Sequence, residues 1–385
     1  MSPEFKELIM NIFIAPDRFA HYRFAVFNKI AERYTLDVYA PKQVDDRGIK
    51  IADPDSVNNK FTWYDVKSLF FRGVCYWQAG LIGSILFSKK YDMYIFWGDA
   101  WRISTWISAI VCRLFRRKVV FWTHGIYGNE GPLKLFYRSL FYKLADAVIL
   151  YSQHGKEQLI KQGFDKNRLY VINNSLDFDD QDKIFNEYEW CKEPKKRVFK
   201  SIFVGRLEKN KKLEIALEAI SFLNSSDLGF KVRFDIIGDG QERGRLEKLC
   251  SDLGLDDDVS FLGSCYDQKV LGPMVIESDI CISPGNVGLT AMQSLAYGTP
   301  VISHSDASQQ MPEFEAIKEG VSGALFENNS VMSLVGAIKR CVNYLNSGKV
   351  DVHTCRDVIK NNYTPEFQVN VLSRLVDDMF LESKE

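Results

Sequence analysis

Two cations follow an apolar run near the middle of the chain. The run 201–204 ends at Gly205, and Arg206 and Lys211 come next, five residues apart. A positive charge in the turn between a strand and a helix is a common way for an α/β protein to bind phosphate. The pattern therefore predicts a diphosphate site.

A second segment, residues 285–300, combines a loop of small residues with a helical pattern. The first N–H groups of a helix have no intrahelical acceptor, and the helix dipole favours an anion there. We expect this loop to contact the same diphosphate through Asn286 and the backbone amides of Val287, Gly288 and Leu289.

Strand and helix patterns alternate along both halves of the chain, which predicts parallel sheets covered on both faces. The predicted strands are residues 8–15, 36–39, 93–96, 119–122, 147–151 and 170–172, then 201–204, 233–237, 259–262, 280–282, 301–303 and 324–326. We predict an α/β fold of two doubly wound domains facing a cleft. In such sheets ligands bind beyond the carboxyl ends of the strands.

The domain boundaries follow from length and composition. A chain of 385 residues exceeds one typical core. We predict an N-terminal domain at 1–176, a charged linker at 177–197 and a C-terminal domain at 198–356. The last segment, 357–385, is expected to form a helix that packs back on the first domain.

Charge and cysteine usage exclude several classes of protein. The formal net charge of −1 argues against a general nucleic-acid binder, which needs a strongly basic face. Eight cysteines are spread singly, so neither a zinc site nor a disulfide framework is indicated, and the usage fits a reducing cytoplasm. The first residues lack the charged-then-apolar order of a secretory signal. We expect a cytoplasmic protein.

Taken together, the motifs resemble the family-four retaining glycosyltransferases of GT-B architecture, the type found in bacterial polysaccharide synthesis. The resemblance covers nearly the whole chain, and the set of motifs is specific although each alone is weak. The matching segments are 204–207 with Lys211, 236–240, 261–263 and 285–300, and, in the first half, Tyr22 and Arg23 with Phe27, 123–125 and 172–177.

The resemblance implies transfer of a hexose from a nucleoside-diphosphate sugar to a hydroxyl of a lipid-linked glycan, with retention at the anomeric carbon. Arg206 and Lys211 would bind the diphosphate and stabilise it as it departs. His124 would contact the donor sugar or a phosphate through one hydrogen bond of its neutral ring. Solvated surface cations and a structural histidine are the alternatives for these three residues.

Further roles are implied for residues at the ends of other strands. The loop around Gly238 and Gly240 would bracket the nucleotide, or would be a plain turn, and Tyr266 would stack on the base. The remaining donor-binding candidates are Gly205, Asn286, Val287, Gly288, Leu289 and Gln293, and the acceptor-side candidates are Asp17, His21, Tyr22, Arg23 and Asp99.

The chain departs from the family in the second phosphate segment. The family has two glutamates eight positions apart, whereas this chain has Gly285 and Gln293. Gln293 keeps an acceptor for the ribose, but the carboxylate near the reacting sugar is missing. Glu313 and Glu315 are candidates to replace it, with ordinary loop acids as the alternative.

No metal or cofactor is expected. The chain has no D-x-D motif placed to chelate a nucleotide-bound magnesium ion, and cations with helix termini can neutralise the diphosphate instead. The nucleotide sugar would be a co-substrate.

Apolar segments at 76–87 and 103–115, with aromatics at 135–143, are flanked by lysines and arginines. Neither apolar run reaches the roughly 20 residues needed to cross a bilayer. They predict peripheral contact with an anionic membrane at its inner face, or else helices packed on the N-terminal sheet.

Two other classes of function stay open. A GT-B epimerase or hydrolase would turn over the donor without an acceptor. A non-catalytic subunit that binds nucleotide sugar would fit the loss of the glutamates.

Overall fold

The computed structural model describes residues 10–42, 52, 60–71, 75–87, 90–189 and 198–380. The chain divides into two compact units, one made of Met1–Asn173 with Pro365–Glu385 and the other of Asn174–Thr364. We call them the N-terminal and C-terminal units.

The N-terminal unit is built on a seven-stranded parallel sheet in the order β3-β2-β1-β6-β7-β8-β9, with a separate antiparallel hairpin of β4 and β5. The strands are β1 (Asn11–Ala15), β2 (Thr35–Ala40), β3 (Thr62–Asp65), β4 (Ser68–Phe71), β5 (Cys75–Gln78), β6 (Met93–Trp97), β7 (Lys118–Thr123), β8 (Ala147–Leu150) and β9 (Leu169–Val171). Its first helices are α1 (Phe24–Arg33), α2 (Leu81–Phe87), α3 (Ile103–Leu114), α4 (Pro132–Tyr142) and α5 (Gln153–Lys161).

Both faces of this sheet are buried. Ile12 and Ile14 belong to one core cluster, whereas Phe13 and Ala15 belong to another on the opposite face. Because successive side chains of a strand point to opposite faces, a continuous apolar run is what a doubly covered strand needs.

The C-terminal unit contains a six-stranded parallel sheet in the order β12-β11-β10-β13-β14-β15. The strands are β10 (Val198–Val204), β11 (Lys231–Ile237), β12 (Val259–Gly263), β13 (Ile280–Ile282), β14 (Val301–His304) and β15 (Gly323–Phe326). The helices of this unit are α6 (Phe178–Glu187), α7 (Leu213–Ser225), α8 (Arg243–Asp252), α9 (Gln268–Ile276), α10 (Leu289–Ala296), α11 (Val331–Asn346) and α12 (Val352–Asn362). The predicted fold class is confirmed.

The predicted linker is wrong over much of its length. Residues 178–187 form α6, whose first turn is capped by the Asp177 side chain accepting from the Asp180 amide at 3.2 Å. The Arg356 guanidinium of α12 pairs with Asp182 and lies 3.6 Å from the Phe185 ring centroid. α6 is mostly charged and has only a narrow apolar face, so its sequence does not read as a packed helix. The rest of the predicted linker, residues 190–197, lies outside the described residues.

The last helix, α13 (Pro365–Phe380), belongs to the N-terminal unit. The Tyr34 hydroxyl donates to Ser373 Oγ at 2.9 Å, and the Tyr170 hydroxyl donates to Asp378 at 2.7 Å. The predicted segment 357–385 is too long at its start, because residues 357–362 complete α12 of the C-terminal unit.

Two other predictions need correction. The segment 76–87, expected to be helical throughout, begins inside β5 and becomes helical only at Leu81. The edge strand β3 was not predicted, because Trp63 is its only buried side chain and no apolar run marks it.

Candidate functional site

The carboxyl ends of β10 and β11 approach each other closely in the C-terminal unit. The Gly205 amide donates to Ile237 O, and the Leu207 amide donates to Asp239 O, both at 2.9 Å. A Cβ atom on Gly238 would lie 1.8 Å from the Gly205 carbonyl oxygen. Backbone packing therefore accounts for Gly238, and in the same way for Gly240, without any ligand.

Lys211 joins the two predicted phosphate-binding segments. Its Nζ donates to both the backbone oxygen and Oδ1 of Asn286, each at 2.8 Å. Burial lowers the pKa of Lys211, with Glu208 opposing this effect and Arg206 adding to it. The sequence prediction that these segments meet agrees with this geometry.

Arg206 lies at the surface of the same turn. Its side chain is 64% exposed and its Nη1 is 2.7 Å from Glu208 Oε1. An exposed guanidinium can rotate toward an anion beside Lys211, whereas the Lys211 amine is already directed into the loop.

Other backbone atoms fill the space beside Gly285. A Cβ atom there would lie 2.0 Å from the Asn210 carbonyl oxygen and 2.6 Å from Lys211 Cα. The backbone of the Lys211 turn thus fills the space where a side chain at 285 would begin. The structure explains why no glutamate stands here.

One of the backbone amides predicted to contact the phosphate already has a hydrogen-bond partner within the protein. The Val287 amide donates to Gln310 Oε1 at 2.8 Å, and the Gln310 amide group donates in turn to Ser303 Oγ and His304 O, both at 2.8 Å. Gln310, which the sequence analysis overlooked, therefore occupies the Val287 amide, and a phosphate contact there stays a prediction. Gly288 and Leu289 remain at the start of α10, where first-turn N–H groups lack intrahelical acceptors.

Gln293 lies on α10 and pairs with the first residue of α9. Its Nε2 donates to Gln268 Oε1 at 2.8 Å, which fixes the amide where the family carries a carboxylate. Tyr266, two residues before the start of α9, is 83% exposed. A stacking role for Tyr266 stays a prediction.

Glu313 and Glu315 have different surroundings. Glu313 is buried and accepts from Asn174 Nδ2 at 2.7 Å, and its charge acts on Lys211 by raising the pKa of that amine. Glu315 is only half-buried, and its charge raises the pKa of Tyr363, as the charge of Glu313 also does. The structure thus brings Glu313, and not Glu315, near the Lys211 turn.

The N-terminal unit has a cavity of about 280 Å³ at the carboxyl edge of its sheet. It collects side chains from the ends of β1, β6, β7 and β8. The lining residues are Asp17, Arg18, Ala20, Tyr22, Arg23, Trp97, Asp99, Trp122, Thr123, His124 and Tyr151. Four of the five predicted acceptor-side residues and His124 are therefore brought together.

Arg23 lies in an aromatic box within this cavity. Its Nη2 donates to the Tyr151 hydroxyl at 2.6 Å. The guanidinium carbon is 4.8–5.6 Å from the ring centroids of Tyr22, Trp97, Trp122 and Tyr151. Cation–π contacts of this kind stabilise a buried guanidinium.

His124 is neutral at physiological pH. Burial lowers the pKa of its ring to about 4, although the Asp99 charge opposes the shift. The ring packs against Tyr151 with centroids 4.7 Å apart. His21, by contrast, is exposed and lies outside the cavity, edge-on to Tyr22.

Arg102 is the main residue that the sequence analysis missed. It is buried at the start of α3 and pairs with both Asp17 and Asp99. The spacing of Asp99 and Arg102, three residues apart before a helix, is the one signal that could have marked it. Among the described residues, no group of three or more His, Cys, Asp or Glu side chains could hold a metal ion.

Two family models match the chain. The model described as "Glycosyl transferases group 1" matches residues 185–363, and "Glycosyltransferase Family 4" matches residues 31–180. The chain belongs to the family-four glycosyltransferases of GT-B architecture. The family and the GT-B fold predicted from the motifs are confirmed, and the matched regions account for most of both units.

Individual relatives are more distant. An uncharacterized 41.2 kDa protein in the cps region of Klebsiella pneumoniae is 27% identical over 61% of this chain and 62% of its own length. A GDP-mannose-dependent phosphatidylinositol dimannoside mannosyltransferase of Mycobacterium tuberculosis is 33% identical over 26% of each. The matched regions thus span less than two thirds of these family members.

The fold is also that of a solved protein structure. Anabaena HepE in complex with UDP is 16% identical, with a TM-score of 0.68 over 96% of this chain and 100% of that one. At this identity the likeness concerns the fold alone.

Proposed function

We propose that this family member transfers a hexose from a nucleoside-diphosphate sugar to a hydroxyl of a lipid-linked glycan, with retention of anomeric configuration. The observation that carries the proposal is the Lys211 turn, where an amine, an exposed Arg206 and the start of α10 converge. Such a set suits a diphosphate, whose charge increases as it leaves.

The proposed step needs no added base. The bond between the anomeric carbon and the diphosphate oxygen breaks, and the acceptor oxygen forms a bond to that carbon on the same face. The acceptor proton passes to the departing phosphate oxygen. Lys211 and Arg206 stabilise the negative charge, and the neutral His124 would donate or accept a hydrogen bond at the sugar. No metal or cofactor is included in this scheme.

Relatives support the substrate classes. The mannosyltransferase from Mycobacterium tuberculosis is named for a GDP-sugar donor and a lipid acceptor, the Klebsiella protein comes from a cps region, and HepE binds UDP. A nucleotide sugar and a surface glycan are therefore the classes to try first.

The test is to incubate the protein with a panel of UDP-, GDP- and dTDP-sugars and polyprenyl-diphosphate-linked glycans. Transfer of sugar to the glycan is expected. Donor consumption without acceptor would instead indicate an epimerase or hydrolase, and binding without turnover would indicate a non-catalytic subunit.

Peripheral membrane binding is part of the proposal. Among the described residues no helix is long and apolar enough to cross a bilayer. Two neighbouring helices, packed through Trp106 and Tyr137 with ring centroids 5.0 Å apart, nevertheless expose apolar rows. The rows are Ile103, Ile107, Ile110 and Leu114 on α3 and Leu133, Phe136 and Leu140 on α4.

These rows fit an anionic leaflet better than water. Leu114 is 76% and Leu133 85% exposed, and the exposed cations Arg113, Arg116 and Lys134 lie beside them. Apolar side chains inserted at the interface and cations near lipid phosphates act together. Because α3 begins four residues after Asp99, a docked α3 would place the cavity near the lipid surface.

Vesicle sedimentation tests this placement. The parent should bind vesicles containing phosphatidylglycerol and bind pure phosphatidylcholine weakly. Ile107→Glu with Leu133→Glu should abolish binding, whereas Met332→Glu, at an apolar site on α11 that is 58% exposed, should not. Equal binding by all three proteins would refute the assignment of this face.

A further inference from the structure

One buried guanidinium ties together the ends of two strands in the N-terminal unit. Arg102 Nη2 lies 2.9 Å from Asp17 Oδ2 and 2.6 Å from Asp99 Oδ2. Asp17 follows β1 and Asp99 follows β6, which are neighbours in the sheet. A single nitrogen therefore fixes the distance between two carboxylates that are 82 positions apart in the sequence.

The carboxylates form part of the cavity wall, and the guanidinium lies behind them. Asp17 and Asp99 line the cavity, with side chains 14% and 31% exposed, whereas the Arg102 side chain is 2% exposed and is not part of the lining. Gln78 holds the loop from the hairpin side by donating to Pro16 O at 2.9 Å. Arg102 can thus affect a ligand only through the two aspartates.

The chemistry of this wall suits hydroxyl groups. An ionised carboxylate only accepts hydrogen bonds and offers several lone pairs, so each aspartate keeps accepting capacity beside its contact with Arg102. Trp97 and Tyr22 add flat apolar surfaces to the same cavity. A sugar ring has neighbouring hydroxyls that donate and an apolar face that packs on aromatic rings.

We propose that Arg102 is a positioning residue that holds Asp17 and Asp99 as a paired acceptor for two neighbouring hydroxyls of an uncharged sugar ring. The inference rests on the proposed function, in which this unit receives the glycan acceptor. To that function it adds two points: Arg102 sets the distance between the two carboxylates, and the cavity selects sugars with two neighbouring hydroxyls.

The charge of Arg102 should make sugar binding depend on pH in a way that a purely structural role would not. Burial raises the pKa of Asp17, but Arg102 and then Arg18 outweigh it and hold that pKa below its usual range. Arg23, Tyr151 and the neutral His124 also face this group from the adjoining strands. Without Arg102, burial and the like charge of Asp99 would favour protonation of Asp17, and a protonated carboxyl accepts fewer hydrogen bonds.

Saturation-transfer NMR of the full chain, without nucleotide, tests the proposal. The probes are methyl hexopyranosides of gluco, manno and galacto configuration and their monodeoxy analogues. The unsubstituted protein should bind at least one of the three complete glycosides. Removal of either of two neighbouring hydroxyls from that glycoside should weaken binding about tenfold. The affinity for the complete glycoside should be constant from pH 7 to pH 5.

Arg102→Met should weaken binding about tenfold at pH 7 and further as the pH falls to 5. Arg102→Lys should restore part of the affinity and the flat pH profile. Arg245→Met, the same change at an exposed arginine of α8 that also pairs with two carboxylates, should behave as the parent does. If Arg102→Met does not fold, Asp99→Asn, which keeps an acceptor oxygen, should still weaken binding.

The proposal is overturned if no glycoside binds the parent, if Arg102→Met binds with parental affinity, or if its loss is the same at every pH. Parental binding by Asp99→Asn would also overturn it. Since the assay contains no donor, failure of the transferase assignment appears separately, as absence of sugar transfer in the panel described above.

Discussion

At the scale of single residues, the absence of a side chain at Gly285 is a packing requirement. The carbonyl oxygen of Asn210 and the Cα of Lys211 lie where a Cβ would be. Gly285→Ala should therefore lower the free energy of unfolding by roughly 1–3 kcal/mol, because backbone must move. Gly285→Glu should not improve any activity. Urea unfolding measures the first effect.

The matched control is Gly244→Ala on α8, where no atom lies within 4 Å of the new Cβ. That substitution should be neutral or slightly stabilising, since alanine is the better helix former. Equal unfolding midpoints for the two variants would refute the packing explanation.

A buried histidine makes stability depend on pH. Burial, with Lys212 adding, lowers the pKa of His304 to about 4. In the unfolded chain the pKa of this histidine is about 6.5. Below that pH the unfolded chain therefore binds a proton on the ring, whereas the folded protein keeps the ring neutral. Stability therefore decreases from pH 6.5 to pH 4, by up to about 1.4 kcal/mol per pH unit for this one group.

His304→Gln should make the dependence of the unfolding free energy on pH less steep. Urea titrations at pH 6.5, 5.5 and 4.5 measure the slope, and His353→Gln, at an exposed position of α12, is the control. A parental slope in His304→Gln would show that this ring is not buried in its neutral form.

Residue roles were predictable only where the sequence itself carries the signal. Lys211 follows a strand and a glycine, so its position near the second segment could be expected. The contact of Gln310 with the Val287 amide could not, because it joins residues 23 positions apart through a loop with no periodic pattern. The role of Arg102 could not be predicted either, because its partners Asp17 and Asp99 follow two different strands.

At the scale of elements, a buried ion pair shapes the loop between β7 and α4. Glu130 accepts from the amides of Tyr127 and Gly128, each at 2.9 Å, and pairs with Arg138 Nη1 at 2.7 Å. The Glu130 side chain is 1% exposed. This pair holds the segment 124–131, which begins with His124.

Arg138→Met should destabilise the protein by about 3–5 kcal/mol, because it leaves the Glu130 carboxylate buried without its cation. Amide hydrogen exchange in 124–131 should become faster. Lys134→Met, at an exposed position of the same helix, should change neither quantity. A parental exchange rate in Arg138→Met would mean that the pair does not hold the loop.

Strands buried on both faces were the elements best predicted from sequence. β7 reads as a continuous apolar run because helices cover both of its sides. β3 has one buried side chain, and α6 carries most of its charge outward, so neither shows an apolar run. Edge and surface elements depend on tertiary contacts that a short sequence window does not contain.

At the scale of the whole molecule, each unit carries one candidate site at the carboxyl edge of its own sheet. The C-terminal unit offers cations and a helix start, and the N-terminal unit offers paired carboxylates and aromatic rings. We propose anion binding at the first and hydroxyl binding at the second. The central claim is that the Lys211 turn binds a nucleoside diphosphate.

Calorimetric titration of the full chain with UDP, GDP and dTDP tests that claim most directly. At least one of them should bind the parent, and Lys211→Ala should weaken binding by roughly 10- to 150-fold, the loss expected for one charge-assisted hydrogen bond. Lys209→Ala, which removes an exposed cation from the same turn, should bind as the parent does. Parental affinity in Lys211→Ala, or no binding of any nucleoside diphosphate, would contradict the account.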